Sequence, residues 1–233
     1  IRVDPSDADR VYVLGTRLYR SKDGGVTFTR DGHGRDVHVD HHALWIDPAD
    51  GRHMVLGNDG GVYETRDRME NWQHHNRMAL GQFYNVSVGP RDVYTVYGGL
   101  QDNGSWAGPS QAPGGIQNKD WKNIGFGDGF WAFPDPNYDR ILYTEYQGGQ
   151  LKRVDRDTLE IKRIQPAPED GQDKLRFNWN TPLHLSPNKP GTLYYGAQYL
   201  FRSTDRGESW KAISPDLTTN DPQGQRQMES GGI

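Results

Sequence analysis

An octet recurs in this chain. "SKDGGVTF" (21–28) returns as "STDRGESW" (203–210) and, with Met69 where the others carry glycine, as "TRDRMENW" (65–72). The copies start at residues 21, 65 and 203, separations of 44 and 138, and 138 is three times 46. A fixed period of forty-odd residues restricts the fold to architectures built from one repeated supersecondary unit. Two units without the octet are expected between the second and third copies.

A second marker supplies them. "DPSDADR" (4–10), "DPADGRH" (47–53), "DPNYDRI" (135–141) and "SPNKPGT" (186–192) are Pro/Asp/Asn turns, and "GPRDVYT" (89–95) fills the remaining slot. Each leads into a β-rich run, "VYVLG", "HMVLG", "VYTVYGG", "ILYTEY" or "TLYYGAQ", apolar at successive positions as in strands covered on both faces. The unit reads strand A, Asp-Pro turn, strand B, loop, strand C, octet turn, strand D. Four antiparallel strands per unit predict an all-β β-propeller with about five blades visible, at 1–32, 40–78, 79–125, 126–166 and 176–215. A β-sandwich is the alternative, disfavoured by the regular spacing. Residues 216–233 are polar and unpatterned, a tail or linker.

Composition agrees. The 233 residues include 29 Gly and 14 Pro, while 7 Trp, 12 Tyr and 7 Phe argue against disorder. A net charge of −4 gives no basic footprint for nucleic acid. No apolar run approaches the ~20 residues of a membrane span, and without cysteine there is neither disulfide nor thiolate site. The chain opens on Ile1 with no signal peptide ahead of it, and we read it as a fragment of something longer, its partners including the remainder of its own chain.

Alternating strand directions put the A–B and C–D turns at one edge of a blade. The octet is therefore structural: Ser21, Asp23, Gly25, Thr27 and Phe28; Asp67 and Trp72; Ser203, Asp205, Gly207, Ser209 and Trp210. The aspartate accepts backbone N–H groups of its own turn, the glycine takes a positive φ, and the aromatic opens strand D and packs between blades. One carboxylate in so short a loop does not make a calcium site, and recurrence argues for a task every blade shares.

The octet resembles the Asp-box, or BNR repeat, of sialidases, sortilin (VPS10) propellers, family 74 xyloglucanases and photosystem II assembly-factor-like proteins. "VDHHALWIDPADGRHMVLGNDGGVYET", "LGQFYNVSV", "VYGGLQDNGSW" and "FRSTDRGESWKAISPDLT" together resemble the large bacterial sortilin-like BNR-repeat proteins often labelled glycosyl hydrolase. The resemblance implies an exported parent, secreted or periplasmic, longer than this chain. It does not fix an activity.

Residues suited to ligands concentrate at the opposite edge. They are His38, Asp40, His41 and His42 in "DVHVDHH", Asn58 and Asp59 in "GNDGG", Gln101, Asp102, Asn103 and Trp106 in "LQDNGSW", Asp128 in "GFGDGF", and Asn178 and Asn180 flanking Trp179 in "FNWN". At strand spacing His38, Asp40 and His42 share a side, but no fourth ligand is identifiable, so no metal and no cofactor is assigned. "NDGG" and "QDNG" are also ordinary turn sequences. A glycosidase needs two carboxylates about 5–5.5 Å or 6.5–9.5 Å apart, and Asp59 with Asp102 or Asp128 are the catalytic candidates. Asp59-Gly60-Gly61 is similar to the Asp-Ile-Gly-Gly segment of family 74 xyloglucanases but lacks the intervening residue. The Phe-Arg-Ile-Pro motif of sialidases is absent, and Arg17, Arg35 and Arg176 do not stand out as an arginine triad. The expectation is a binding or scaffolding propeller segment that engages peptide, protein or glycan at this edge, with a family 74-like glycoside hydrolase as the rival.

Overall fold

The computed structural model describes residues 1–30, 36–78, 80–138, 140–158 and 160–226. Arg35, and residues 31–32 and 227–233 of the expected first blade and tail, lie outside them. Among the described residues the chain is all-β, with five four-stranded antiparallel sheets and a single 3-10 turn at Asn118–Asp120, the make-up of a β-propeller fragment. Each sheet is a meander whose neighbours are consecutive in sequence.

The chain divides into two compact units, 1–80 and 81–233. The first holds two sheets. One is β1 (Arg2–Asp4), β2 (Asp7–Leu14), β3 (Leu18–Ser21) and β4 (Thr29–Arg30); the other is β5 (His41–Ile46), β6 (Met54–Asn58), β7 (Gly61–Thr65) and β8 (Gln73–His74). Their core is Tyr12, Leu18, Val37, Leu44, Ile46, Met54, Leu56, Tyr63 and Met69. Period-two alternation buries Leu44 and Ile46 while leaving Trp45 exposed.

The second unit holds three sheets. The third is β9 (Phe83–Val88), β10 (Thr95–Leu100), β11 (Gly104–Pro109) and β12 (Lys122–Gly125). The fourth is β13 (Gly129–Pro134), β14 (Ile141–Tyr146), β15 (Gln150–Asp155) and β16 (Ile161–Arg163). The fifth is β17 (Leu183–Leu185), β18 (Leu193–Gly196), β19 (Leu200–Ser203) and β20 (Lys211–Ala212). The third and fourth sheets approach at their backbones: a Cβ on Gly99 would lie 2.0 Å from the carbonyl oxygen of Gly129. The "VYGG" and "GFGDGF" glycines are what this approach requires. Tyr143, Leu151, Leu183, Leu193, Tyr195 and Phe201 form the core between the fourth and fifth sheets.

Each octet joins the third and fourth strands of its sheet, and the three copies make one hydrogen-bond circuit. Asp23 Oδ1 accepts from the Ser21 hydroxyl at 2.7 Å and the Thr27 amide at 2.8 Å, and Oδ2 accepts from the Thr27 hydroxyl at 2.5 Å. Asp205 does the same with Ser203 and Ser209, and Asp67 with Thr65 and the Asn71 amide and side chain. In every copy the leading hydroxyl accepts the amide four residues on, at Gly25, Met69 and Gly207. These donors favour the charged carboxylate. The side chain and amide of Thr27 and the Ser21 hydroxyl hold Asp23 down to about 2, and Asn71 and Ser209 lead the same effect at Asp67 and Asp205, also about 2.

The two residues after each aspartate both take positive φ: Gly24 (69°) and Gly25 (91°), Arg68 (58°) and Met69 (73°), Arg206 (60°) and Gly207 (84°). The arginines reach back to the Asp-Pro turn of the neighbouring sheet in their unit. Arg68 Nε donates to Asp4 Oδ2 at 3.3 Å and Arg206 Nε to Asp135 Oδ2 at 3.0 Å. Trp210 Nε1 donates to the Ile164 carbonyl, joining the fifth sheet to the fourth, while Trp72 packs on the core of the first unit and Phe28 is 43% exposed. The start of the expected tail is fastened to the fifth sheet: the Leu217 amide donates to the Gln198 carbonyl, and Asp216 pairs with Arg176 at 3.0 Å.

Candidate functional site

Antiparallel meanders place the turn between second and third strands at the end of each sheet opposite the turn between third and fourth, where the octet lies in the sheets that carry one. In the first unit this end gathers the residues singled out around Asn58. Asn58 Nδ2 donates to the His38 carbonyl at 2.8 Å, and its Oδ1 accepts the Gly60 amide at 2.9 Å. His38 lies against Gly60, where an added Cβ would meet its Cβ at 2.4 Å. The amides of Asp40 and His41 donate to the carbonyls of Thr16 and Gly15, in the corresponding turn of the first sheet.

The expected shared side of His38, Asp40 and His42 is not present. β5 begins at His41, and Asp40 takes φ +62°, which turns the chain and breaks strand alternation. His42 instead pairs with Asp59, Nε2 to Oδ1 at 2.5 Å, with its imidazole 70% exposed and the carboxylate 19%. His74 stacks on Tyr63 with centroids 4.3 Å apart, and its Nε2 donates to the Gly60 carbonyl at 3.0 Å.

In the second unit the same end of three successive sheets is linked by a belt of bonds. The Asp102 amide donates to Asp128 Oδ1 at 2.7 Å, and the Asp128 amide donates to Gln147 Oε1 at 2.8 Å. The Gln101 amide donates to the Gln82 carbonyl, the Asn103 side chain to the Gln101 carbonyl, and Trp106 Nε1 to the Asn103 carbonyl at 2.6 Å. The Gly148 amide donates to the Trp179 carbonyl at 3.1 Å, and the Thr181 hydroxyl to the Asn178 carbonyl at 2.8 Å. The Arg176 amide donates to Gln198 Oε1 at 2.8 Å.

The belt ties down the backbone of the segment 177–181, whose Thr181 is buried and whose Phe177 packs on the core, and leaves the side chains of residues 178–180 outward. Asn178, Trp179 and Asn180 are all exposed, Trp179 at 51%. Among the described residues the side-chain amides of Asn178 and Asn180 take no protein partner. Asp128 is different: at 5% exposure its carboxylate is committed to the Asp102 turn.

Three residues of this end were not singled out from sequence. Gln147 and Gln198 occupy the same turn in successive sheets and hold the incoming connection in the same way; the shared glutamine of "EYQGG" and "GAQYL" is the signal for them. The third is Glu145, 1% exposed at the end of β14. Its Oε1 accepts the Thr181 amide at 3.4 Å, while among the described residues Oε2 and the hydroxyl of buried Tyr195 have no hydrogen-bond partner. Burial pushes Glu145 up to about 9, and the amides of Thr181 and Gly149 offset only part of that rise. Burial, with Glu145 next in effect, also pushes the Tyr195 phenol up. The lone acid in "ILYTEY" was the available signal.

No family model matches the chain, and no curated protein matches it. Solved structures similar to it include the GH74 xyloglucanase from Xanthomonas campestris, at 19% identity over 92% of this chain and 38% of that one, TM-score 0.43. The GH74 enzyme of Niastella koreensis matches at 16% identity over 90% of this chain and 37% of that one, TM-score 0.40. YCF48 bound to D1 peptide matches at 15% identity over 91% of this chain and 66% of that one, TM-score 0.41. The chain thus spans well under half the length of these two GH74 enzymes. Among the described residues no helix is long and apolar enough to cross a membrane.

Proposed function

We propose that the chain is a binding and scaffolding β-propeller segment of a larger exported protein of the sortilin-like Asp-box type, engaging peptide, protein or glycan at the end of its sheets opposite the octets. The observation that carries this is the Asn178–Trp179–Asn180 segment. Its backbone is anchored from the fourth sheet at Gly148, while an indole and two side-chain amides face solvent. A rigid backbone presenting an aromatic flanked by amides loses little freedom on binding, and such groups suit either sugar or peptide recognition. Gln101, Asp102, Asn103 and Trp106 are the candidates at the corresponding end of the third sheet in this unit; His38, Asp40, His41, His42, Asn58 and Asp59 are those of the second sheet, in the other unit.

The hydrolase reading needs two carboxylates facing a groove. The burial of Asp128 and its bond to the Asp102 amide favour a turn-holding role for it. The test is binding of the protein to oligosaccharide and peptide arrays, repeated with Trp179→Ala. Loss of the array signals at unchanged thermal stability supports the reading. Retention of every signal in Trp179→Ala, or cleavage of an arrayed sugar abolished by Asp128→Asn, contradicts it.

A further inference from the structure

The facing surfaces of the third and fourth sheets, both in the second unit, carry positive charge at their margin that the binding rim does not use. Register places the residues. In the third sheet Tyr97 pairs with Ala107 and Ala107 with Lys122. Directly paired residues share a face, and Tyr97, Ala107 and Ile124 pack against Ala132, Leu142 and Val154 of the fourth sheet. Lys122 therefore rises from the face that meets the fourth sheet. In that sheet Thr144 pairs with Lys152 and Lys152 with Arg163, two residues along from the row of Leu142, Val154 and Ile161. Lys152 and Arg163 therefore stand on the face that meets the third.

Lys122 and Arg163 are exposed and Lys152 is half-buried. Among the described residues none of the three pairs with a carboxylate: Arg163 donates to the Gln165 side chain, and Lys152 lies between two rings. Its Nζ is 4.9 Å from the centroid of Phe126 and 4.9 Å from that of Tyr146. Phe126 is 61% exposed. In a chain of net charge −4 this is a local reversal of sign. The π faces attract the ammonium without neutralising it, so its charge stays available to an anion, and the open face of Phe126 stays available to a flat apolar surface.

We propose that this margin binds an acidic glycan, a uronic-acid chain whose carboxylates engage Lys122, Lys152 and Arg163 while one sugar ring rests on Phe126. Phosphate or an acidic peptide would use the cations alone; a sugar presents a C–H face as well as a carboxylate, and that pairing of groups matches the lining. None of the lining residues belongs to Asn178–Asn180, which leads into the fifth sheet, and Trp179→Ala is the control that separates this binding from that of the rim.

The test is titration of the full chain with polygalacturonate, its fully methyl-esterified form and poly-glutamate. Polygalacturonate is expected to bind, weakening as salt rises, and the neutral ester to bind about tenfold more weakly, as loss of several exposed ion pairs implies. Lys152→Met keeps the ring contacts and removes the charge; it and Arg163→Gln are each expected to weaken binding about two- to fivefold. Should Lys152→Met fail to fold, the exposed Arg163→Gln carries the test. Phe126→Ala is expected to weaken polygalacturonate by about threefold and leave poly-glutamate unchanged. Absence of polygalacturonate binding, equal binding of the ester, tighter binding of poly-glutamate, or indifference to Phe126→Ala overturns the proposal.

Discussion

Arg206 of the third octet donates its Nε to Oδ2 of Asp135, 71 residues earlier, at 3.0 Å. Asp135 is buried, with a side-chain exposure of 1% against 33% for Arg206. It also accepts the amides of Asn137 and Tyr138 and the hydroxyl of Tyr143. Arg68 and Asp4 repeat the relationship in the first unit at 3.3 Å. The octet thus closes its own turn and staples its sheet to the neighbour. Arg206→Met leaves a buried carboxylate one donor short and is expected to cost about 2 kcal/mol in chemical denaturation. Arg68→Met should cost less, given the longer bond. A loss at neither position would mean the pairs are incidental.

Met69 stands where the other octets have glycine, at φ +73° and fully buried in the core of the first unit. Left-handed backbone costs a non-glycine residue about 1–2 kcal/mol, and losing a buried methionine costs about 2–5 kcal/mol. Met69→Ala loses the packing and keeps the strain; Met69→Gly loses the packing and relieves the strain. Glycine is therefore expected to be less damaging than alanine by about 1 kcal/mol, with both below the native protein. Measured unfolding free energies in the reverse order would remove this account of the substitution.

At Gly99 an added methyl would enter the backbone of the fourth sheet, 2.0 Å from the Gly129 oxygen and 2.7 Å from the Phe130 nitrogen. Backbone on both sides cannot yield as a side chain tip can, so Gly99→Ala should destabilise by about 3 kcal/mol or prevent folding of the second unit. Gly57→Ala, whose nearest neighbour is the Ala43 Cβ at 3.9 Å, is the matched control and is expected within about 1 kcal/mol of native. Thermal melts of the pair separate steric exclusion from a general strand effect.

Glu145 sets a pH dependence. Its ordinary value of 4.5 is raised by burial to about 9 in the folded chain, so between those values the folded state holds a proton the unfolded state has lost. Stability is full below 4.5 and declines as pH rises toward 9, by at most about 1.4 kcal/mol per pH unit. Glu145→Gln keeps the shape without the charge. It should remove this slope and be the more stable protein at pH 8, read by denaturation at pH 5, 6.5 and 8. Parallel profiles for the two proteins would contradict the assignment.

Local chemistry and period were legible in the sequence. The octet's Ser, Asp and Thr act within eight residues, and the strand runs between Asp-Pro turns mark the five sheets, so a single chain exposes both. Long-range partners were not legible. Arg68 and Arg206 look like surface charges until the fold brings Asp4 and Asp135 to them. Asp40 looked like part of a strand because alternation was assumed to extend through it, whereas its positive φ starts the strand one residue later. Glu145 was concealed by its apolar neighbours, and Gln147 by its place in an ordinary turn. Of the candidate rim, residue type points to Asn58 and Asp102, but their bonds run to His38 and Asp128, 20 and 26 residues away.

The scaffold role of the octets is tested most directly by amide hydrogen exchange at Thr27, Asn71 and Ser209. All three lie in exposed turn tips, and each amide donates to the octet aspartate of its own turn. Residue-resolved NMR exchange is predicted to find all three slowed well below the rate of an unbonded, solvent-exposed amide in the same sequence. Free exchange at these amides, at the rate of an open loop, would contradict the shared circuit and the structural role assigned to it.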